Sequence, residues 1–300
     1  MTPSLELTDV RKSYGDFQAV AGVSMAVPPG SIFGLLGPNG AGKTTTIRMI
    51  MDIIAPDAGE VRVFGHPRTT ADLRKIGYLP EERGLYRKMT VQDQLMFLAE
   101  IRGLSRRDAQ AAIARWLARV ELSDWAKNKV EELSKGMQQK IQIVGTLLHE
   151  PELLILDEPF SGLDPLNQEI FKDLLTEYRQ QGRSILFSTH GMELAEKLCD
   201  HICLISHGRA ILTGELKAIK RQLSGNSYRL VADGDLAALS GVTGIDHVIP
   251  DAGGAKLFLR ADADGAQVLR DLVGRVAVRE FRSEEPELEE IFMKAVRDAA

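Results

Sequence analysis

Gly37-Pro38-Asn39-Gly40-Ala41-Gly42-Lys43-Thr44 fits the pattern G-x-x-x-x-G-K-[ST] without a mismatch. The chemistry of that spacing is polyphosphate binding. Backbone N–H groups turned inward hold the phosphate oxygens, and glycines let the chain wrap closely enough to do so. A helix starting at the end of the loop adds the positive end of its dipole. Lys43 then reaches the β- and γ-phosphates and Thr44 ligates Mg²⁺, with Thr45 grouped beside them as a nucleotide contact. A second segment, Leu153-Leu154-Ile155-Leu156-Asp157-Glu158, supplies the other half. A buried strand carries an aspartate to its C-terminal end, where open parallel sheets place their ligands. Asp157 is expected to hold Mg²⁺ through water, and Glu158 to take a proton from the attacking water. Alone, two adjacent carboxylates at a strand end also fit a plain solvated turn; the phosphate loop tips the reading.

These groups need a sheet to carry them. Ile32–Leu36 is a short apolar run that ends in the glycine loop, and Thr44–Ile54 has helical spacing after it. Val61–Phe64, Ile76–Leu79, Leu153–Leu156, Ile185–Ser188 and Ile202–Ile205 read as further strands. The last three are continuous apolar runs, as central parallel strands covered on both faces require. Residues 1–30 alternate like strands, with turns at Tyr14-Gly15-Asp16 and Pro28-Pro29-Gly30. Residues 90–149 change character to helical periods: Thr90 with Asp93 resembles a capping box, and Ser134 opens another helix. The spacing therefore predicts one α/β domain over 1–218 with a helical insertion at about 83–148.

Residues 219–226, IKRQLSGN, are mostly polar and predict a linker. Beyond them lies a second pattern over 227–300, in the order β-α-β-β-α-β, with a helix expected at Asp235–Leu239. That order predicts a small α+β domain of split βαβ type. A last helix places Leu288, Ile291, Phe292 and Val296 on one face.

The chain has 300 residues, 44% apolar and 26% charged, with a net charge of −5, which excludes disordered and low-complexity classes. The acidic balance disfavours broad nucleic-acid binding, and no nucleic-acid partner is expected. No apolar run is long enough to cross a bilayer, and MTPSLELTDV lacks the pattern of a secretory signal. Cys199 and Cys203 cannot build a disulfide framework, so the chain reads as cytoplasmic. Cys199-x-His201-x-Cys203 sits among apolar neighbours and reads as buried thiols, not a metal site. His149 reads as a favourable charge at a helix C-terminus, and Arg102, Arg106, Arg107, Arg115 and Arg119 as a solvated basic face.

Taken together, the motifs resemble the ATP-binding subunit of an ABC transporter. Glu132–Lys140, with Leu133-Ser134-Lys135-Gly136-Met137 at its centre, is similar to the signature segment of that family. Ser161-Gly162-Leu163-Asp164 is similar to its D-loop, and Ser188-Thr189-His190 to its switch histidine. Tyr14 stands where the family stacks an aromatic ring on adenine. The order and spacing match over 1–218. The resemblance implies a P-loop NTPase (RecA-like) core with an antiparallel β subdomain and the helical insertion.

It also implies a mechanism: two ATP-binding domains pair head to tail, as a homodimer or with a related subunit. Each ATP then lies between the phosphate loop of one copy and Ser134 and Gly136 of the other, with Asp164 communicating between the sites. Glu158 polarises the water and His190 holds the γ-phosphate. The implied function is an ATP-hydrolysing motor of a membrane exporter, peripheral at the inner face of the cell membrane through a separate integral permease. The alternative is a soluble ABC ATPase of translation or DNA maintenance, but the chain has neither a second such domain nor a long coiled-coil insertion.

Four positions depart from the family pattern. Lys135 and Met137 replace a glycine and a glutamine of the signature, Gly191 follows the histidine, and Glu81 stands where a glutamine is usual. Glu81 is expected to be a Mg²⁺-dependent coupling residue, its charge offset by Mg²⁺ or Arg83, and not the general base. The competing expectation is that Glu81 points to solvent and Glu82 faces the site. The stretch Tyr78–Tyr86 and the C-terminal domain resemble ATPases of sodium-efflux and drug-export type.

Overall fold

The computed structural model describes residues 2–299, apart from residues 83, 224–226, 235–238, 240, 252–253, 261 and 285. Contacts divide the chain into two units, chiefly Met1–Gly214 and Glu215–Asp298.

The first unit opens with strands β1 (Leu5–Tyr14) and β2 (Phe17–Val27), joined by a two-residue turn at Gly15-Asp16. With β4 (Ala58–Val63) and β5 (His66–Pro67) they make an antiparallel sheet in the order β2-β1-β4-β5. The second sheet holds β3 (Ile32–Leu36), β6 (Ile76–Leu79), β7 (Leu153–Asp157), β8 (Ser184–Thr189), β9 (His201–Ser206) and β10 (Arg209–Glu215). Its order is β10-β9-β3-β8-β7-β6. The pairs β9–β3, β3–β8, β8–β7 and β7–β6 are all parallel. Every residue of β3, β7 and β8 is buried. Continuous apolar runs are stable in that position because both faces of a parallel sheet are covered. The two sheets share a core that includes Leu5, Val23, Phe33, Ile47, Leu153 and Ile155.

Helix α1 (Lys43–Ile50) follows the glycine loop. The insertion carries α2 (Val91–Ile101), α3 (Arg106–Arg119) and α4 (Lys135–Leu147). Each starts on a hydroxyl cap: Thr90 accepts from the Asp93 N–H, Ser105 from Asp108 and Ser134 from Met137. Such a cap satisfies one of the orphan N–H groups of a first turn and contributes about 1 kcal/mol. Helix α5 (Pro165–Gln180) is capped by Asp164, and the short α6 (Met192–Leu198), which sequence periodicity did not single out, follows β8.

In the second unit, α7 (Leu216–Leu223) precedes strands β11 (Ser227–Asp233), β12 (Ile245–Asp251), β13 (Gly254–Leu259) and β14 (Ala277–Ser283). Helix α8 (Gly265–Val273) lies between β13 and β14, and α9 (Leu288–Ala299) ends the chain. The sheet order is β12-β13-β11-β14, with every neighbouring pair antiparallel. That is the strand order of a split βαβ sandwich. Most of the helix expected at Asp235–Leu239 lies outside the described residues. The linker expectation needs correction: 219–223 complete α7, with Leu216 and Ile219 buried, and the division falls after Gly214. Polar composition misled here because an amphipathic helix hides two apolar residues among basic ones.

Candidate functional site

Four adjacent strands deliver the site. In the order β3, β8, β7 and β6, their C-terminal ends lie side by side, with Leu36 opposite Thr189, Asp157 opposite Ser188 and Leu79 opposite Leu156. The glycine loop leaves β3, His190 follows β8, Glu158 follows β7, and Pro80–Glu82 follow β6. A cavity of about 330 Å³ opens there, lined by Phe17, Ala19, residues 39–45, Glu81 and Glu158. The loop is closely fitted. Gly42 has φ +105, and a Cβ there would fall 2.6 Å from the carbonyl oxygen of Ala19.

Lys43 is 6% exposed, and its Nζ donates to the carbonyls of Gly37 at 2.7 Å and Pro38 at 3.2 Å. The same Nζ stands 3.3 Å from Glu158 Oε1. His190 Nδ1 reaches that oxygen too, at 3.2 Å. One carboxylate oxygen is thus shared between the loop lysine and the histidine at the end of β8, the strand between β3 and β7.

Glu158 itself sits at φ +47, a conformation that costs a residue with a Cβ about 1–2 kcal/mol. Its N–H donates to Ser188 Oγ at 3.0 Å, and Ser188 Oγ donates to Asp157 Oδ1 at 2.5 Å. Ser188 therefore orients both carboxylates. Sequence reading placed Ser188 next to the switch histidine without a task, because its partners lie some thirty positions away.

Asp157 is 1% exposed, and its Oδ2 has no hydrogen-bond partner among the described residues. A buried carboxylate oxygen left alone is costly, and a hard divalent cation satisfies it. Thr44 and Glu81 line the cavity, and Asp157 directly precedes the lining residue Glu158, so all three carry oxygens suited to such a cation. Glu81 lines the cavity and Glu82 does not; Arg83 lies outside the described residues.

Several of the expected contacts, Gly37, Pro38, Asp157 and His190 among them, are not in the cavity lining. Ser134 and Gly136, at the start of α4, are not among the residues lining the cavity, and neither is Asp164. Asp164 caps α5, and the Asn167 backbone N–H and side-chain amide hold its carboxyl below the usual range. Tyr14 is likewise not in the lining; its cross-strand partner Phe17 is. Directly opposed residues share a sheet face, so the two exposed side chains stand on one face of the hairpin, an aromatic step whose Phe17 borders the loop.

Other sequence expectations change. His149 is not a helix-end charge: burial, with Arg102 nearby, pushes its pKa down to about 4, and the ring is neutral at pH 7. The arginine face is not merely solvated, since Arg102 donates to the Leu73 carbonyl, Arg115 pairs with Glu150 and Arg119 with Glu177. Cys199 and Cys203 are free and buried, and burial raises both thiols, Cys203 to about 12.

Residues 20–161 match the family model described as ABC transporter, and residues 214–296 match the C-terminal domain of DrrA1-3-like ATP-binding proteins. YhaQ of Bacillus subtilis (strain 168), an ABC transporter ATP-binding protein, is 44% identical over 97% of this chain and 98% of its own length. Nod factor export ATP-binding protein I of Sinorhizobium fredii (strain NBRC 101917 / NGR234) is 36% identical over 97% of this chain and 85% of its own. A solved ATP-binding subunit of an ABC transporter superposes with a TM-score of 0.67 at 34% identity, covering 73% of this chain and 92% of that one.

Proposed function

The chain belongs to the ABC transporter ATP-binding family, and we propose that Lys43, Glu158 and His190 are the residues with which it hydrolyses ATP. It is an ATP-binding, ATP-hydrolysing motor of transport. The observation that carries the assignment is the shared oxygen: Glu158 Oε1 lies 3.3 Å from Lys43 Nζ and 3.2 Å from His190 Nδ1. When the γ-phosphate enters the loop, Lys43 exchanges the loop carbonyls and Glu158 for phosphate oxygens. Glu158 is then free to accept a proton from water, and His190 to hold the water and the phosphate in line. Asp157, Thr44 and Glu81 fit Mg²⁺, which neutralises β- and γ-phosphate charge when bound. The base of ATP is carried to the Tyr14–Phe17 step.

We place Ser134 and Gly136 on the nucleotide of a second ATP-binding domain, with Asp164 between the two sites. What supports this is that all three lie outside the chain's own cavity lining while the N-terminus of α4 offers donors to an anion. Among the described residues no helix is long and apolar enough to cross a membrane, so we assign the path to a separate integral permease. The chain would then act as a cytoplasmic subunit at the inner membrane face. Export is favoured because Nod factor export ATP-binding protein I is similar along nearly the whole chain. The first unit, chiefly Met1–Gly214, is the motor, and the second, chiefly Glu215–Asp298, an accessory domain that braces or regulates the dimer. Glu158→Gln should bind ATP, stall turnover and elute as an ATP-dependent dimer in size exclusion. A Glu158→Gln chain that turns over at the native rate would remove Glu158 from the base role.

A further inference from the structure

Helix α4 holds three glutamines, and each points its amide at loop carbonyls. Gln138 Nε2 donates to Val130 and Leu133, closing the turn before the helix. Gln139, 7% exposed, donates to Pro159 at 3.0 Å and Ser161 at 3.2 Å, on the loop that directly follows Glu158. Gln142, 8% exposed, donates to Pro80 at 3.4 Å and Glu82 at 3.2 Å, the two residues that bracket Glu81. Positions 139 and 142 are i and i+3, so both amides leave one face of α4.

The other side of the first loop is anchored as well. Phe160, bracketed by the two carbonyls that Gln139 holds, packs against Phe171 and Phe187 with ring centroids 5.2 and 6.0 Å away. The amide orientation at both glutamines follows from the acceptors: a carbonyl oxygen turned toward two carbonyls would repel them. Gln139 Oε1 is buried without a partner among the described residues, a polar cost that the two donated bonds offset.

We propose that Gln139 and Gln142 are positioning residues that clamp the loops bearing Glu158 and Glu81 to one rigid helix. Ser134 caps that same helix at its N-terminus, so its first turn, Gly136 included, and the two loops keep a fixed spacing. The inference rests on the reading of Glu158 as base and Glu81 as Mg²⁺ contact. Neither glutamine touches nucleotide; each acts through a backbone whose misplacement by about 1 Å lowers turnover up to about a hundred-fold.

The test uses the full chain with Gln139→Met or Gln142→Met, which keep side-chain length and remove the amide. Hydrolysis is measured as kcat against KM for ATP and across a Mg²⁺ titration, with melting curves in parallel. Either variant should lower kcat about tenfold with KM nearly unchanged. Only Gln142→Met should raise the Mg²⁺ needed for half-maximal rate, and it should add no further rise when Glu81→Ala is already present. Native kcat in both variants, or a Mg²⁺ shift from Gln142→Met that is as large in the Glu81→Ala background, overturns the clamp. If Glu81→Ala itself leaves the Mg²⁺ requirement untouched, the Glu81 reading alone is lost and the kcat comparison still decides the clamp. Where a methionine variant fails to fold, Gln142→Glu gives the same readouts, because it keeps the shape and sets acceptors against acceptors.

Discussion

Buried polar side chains divide the two units of this protein. Met1–Gly214 buries Lys43, Asp157, Ser188, Gln139 and Gln142, among others, whereas Ser227 is the one buried polar side chain of Glu215–Asp298 among the described residues. Burial of such a group costs about 2–7 kcal/mol unless it is hydrogen-bonded. In the first unit these groups meet one another or the carbonyls of site loops. The second unit is held by Leu230, Leu257, Val268 and Leu272, with Tyr228 stacked on Phe281 at 4.6 Å. One unit is organised around a site and the other around packing. Substitutions should therefore separate turnover from stability according to where they fall.

The largest effect tests the first side of that contrast. Lys43→Ala removes the cation that answers the triphosphate, and ATP affinity by calorimetry should drop by about a hundred-fold or more, with the melting temperature little changed. The second side is tested by Leu257→Ala, a fully buried position. Denaturant titration should show a loss of about 2–5 kcal/mol. ATP turnover per folded molecule should stay native; a fall in kcat would erase the contrast.

His149 sharpens the contrast through pH. Its folded pKa of about 4 lies below the usual 6.5, because burial disfavours the imidazolium. Stability from the neutral ring is full above pH 6.5 and is lost as pH falls toward 4, by up to about 3 kcal/mol. His149→Gln should flatten that part of the stability profile, and an unchanged slope would assign it to other groups. Ser188→Ala should have the smallest effect, a fall of about tenfold in kcat with ATP binding retained. It leaves Asp157 Oδ1 and the Glu158 N–H without their shared partner.

Much of the candidate site was legible residue by residue. The glycine loop, the strand ending in Asp157-Glu158 and the hydroxyl caps at Thr90 and Ser134 depend on neighbours a few positions away, so spacing alone carries them. The tasks of Ser188, Phe17, Gln139 and Gln142 were not legible. A serine in a strand or a glutamine in a helix has no local partner to betray it. The linker reading of 219–226 failed for a related reason: Leu216 and Ile219 decide that helix by what they bury, and polarity in between does not report it.

What the sequence by itself determined is the chemistry of each segment: a loop that binds phosphate because glycines at 37, 40 and 42 permit its positive φ values, and a strand that ends in two carboxylates. Only the tertiary structure decided that Lys43, Glu158 and His190 share one oxygen atom. That follows from the strand order β3-β8-β7-β6 and its parallel register, which bring segments more than a hundred residues apart to adjacent strand ends. Local spacing carries no record of that order, because it is selected by burying apolar faces of the whole sheet at once.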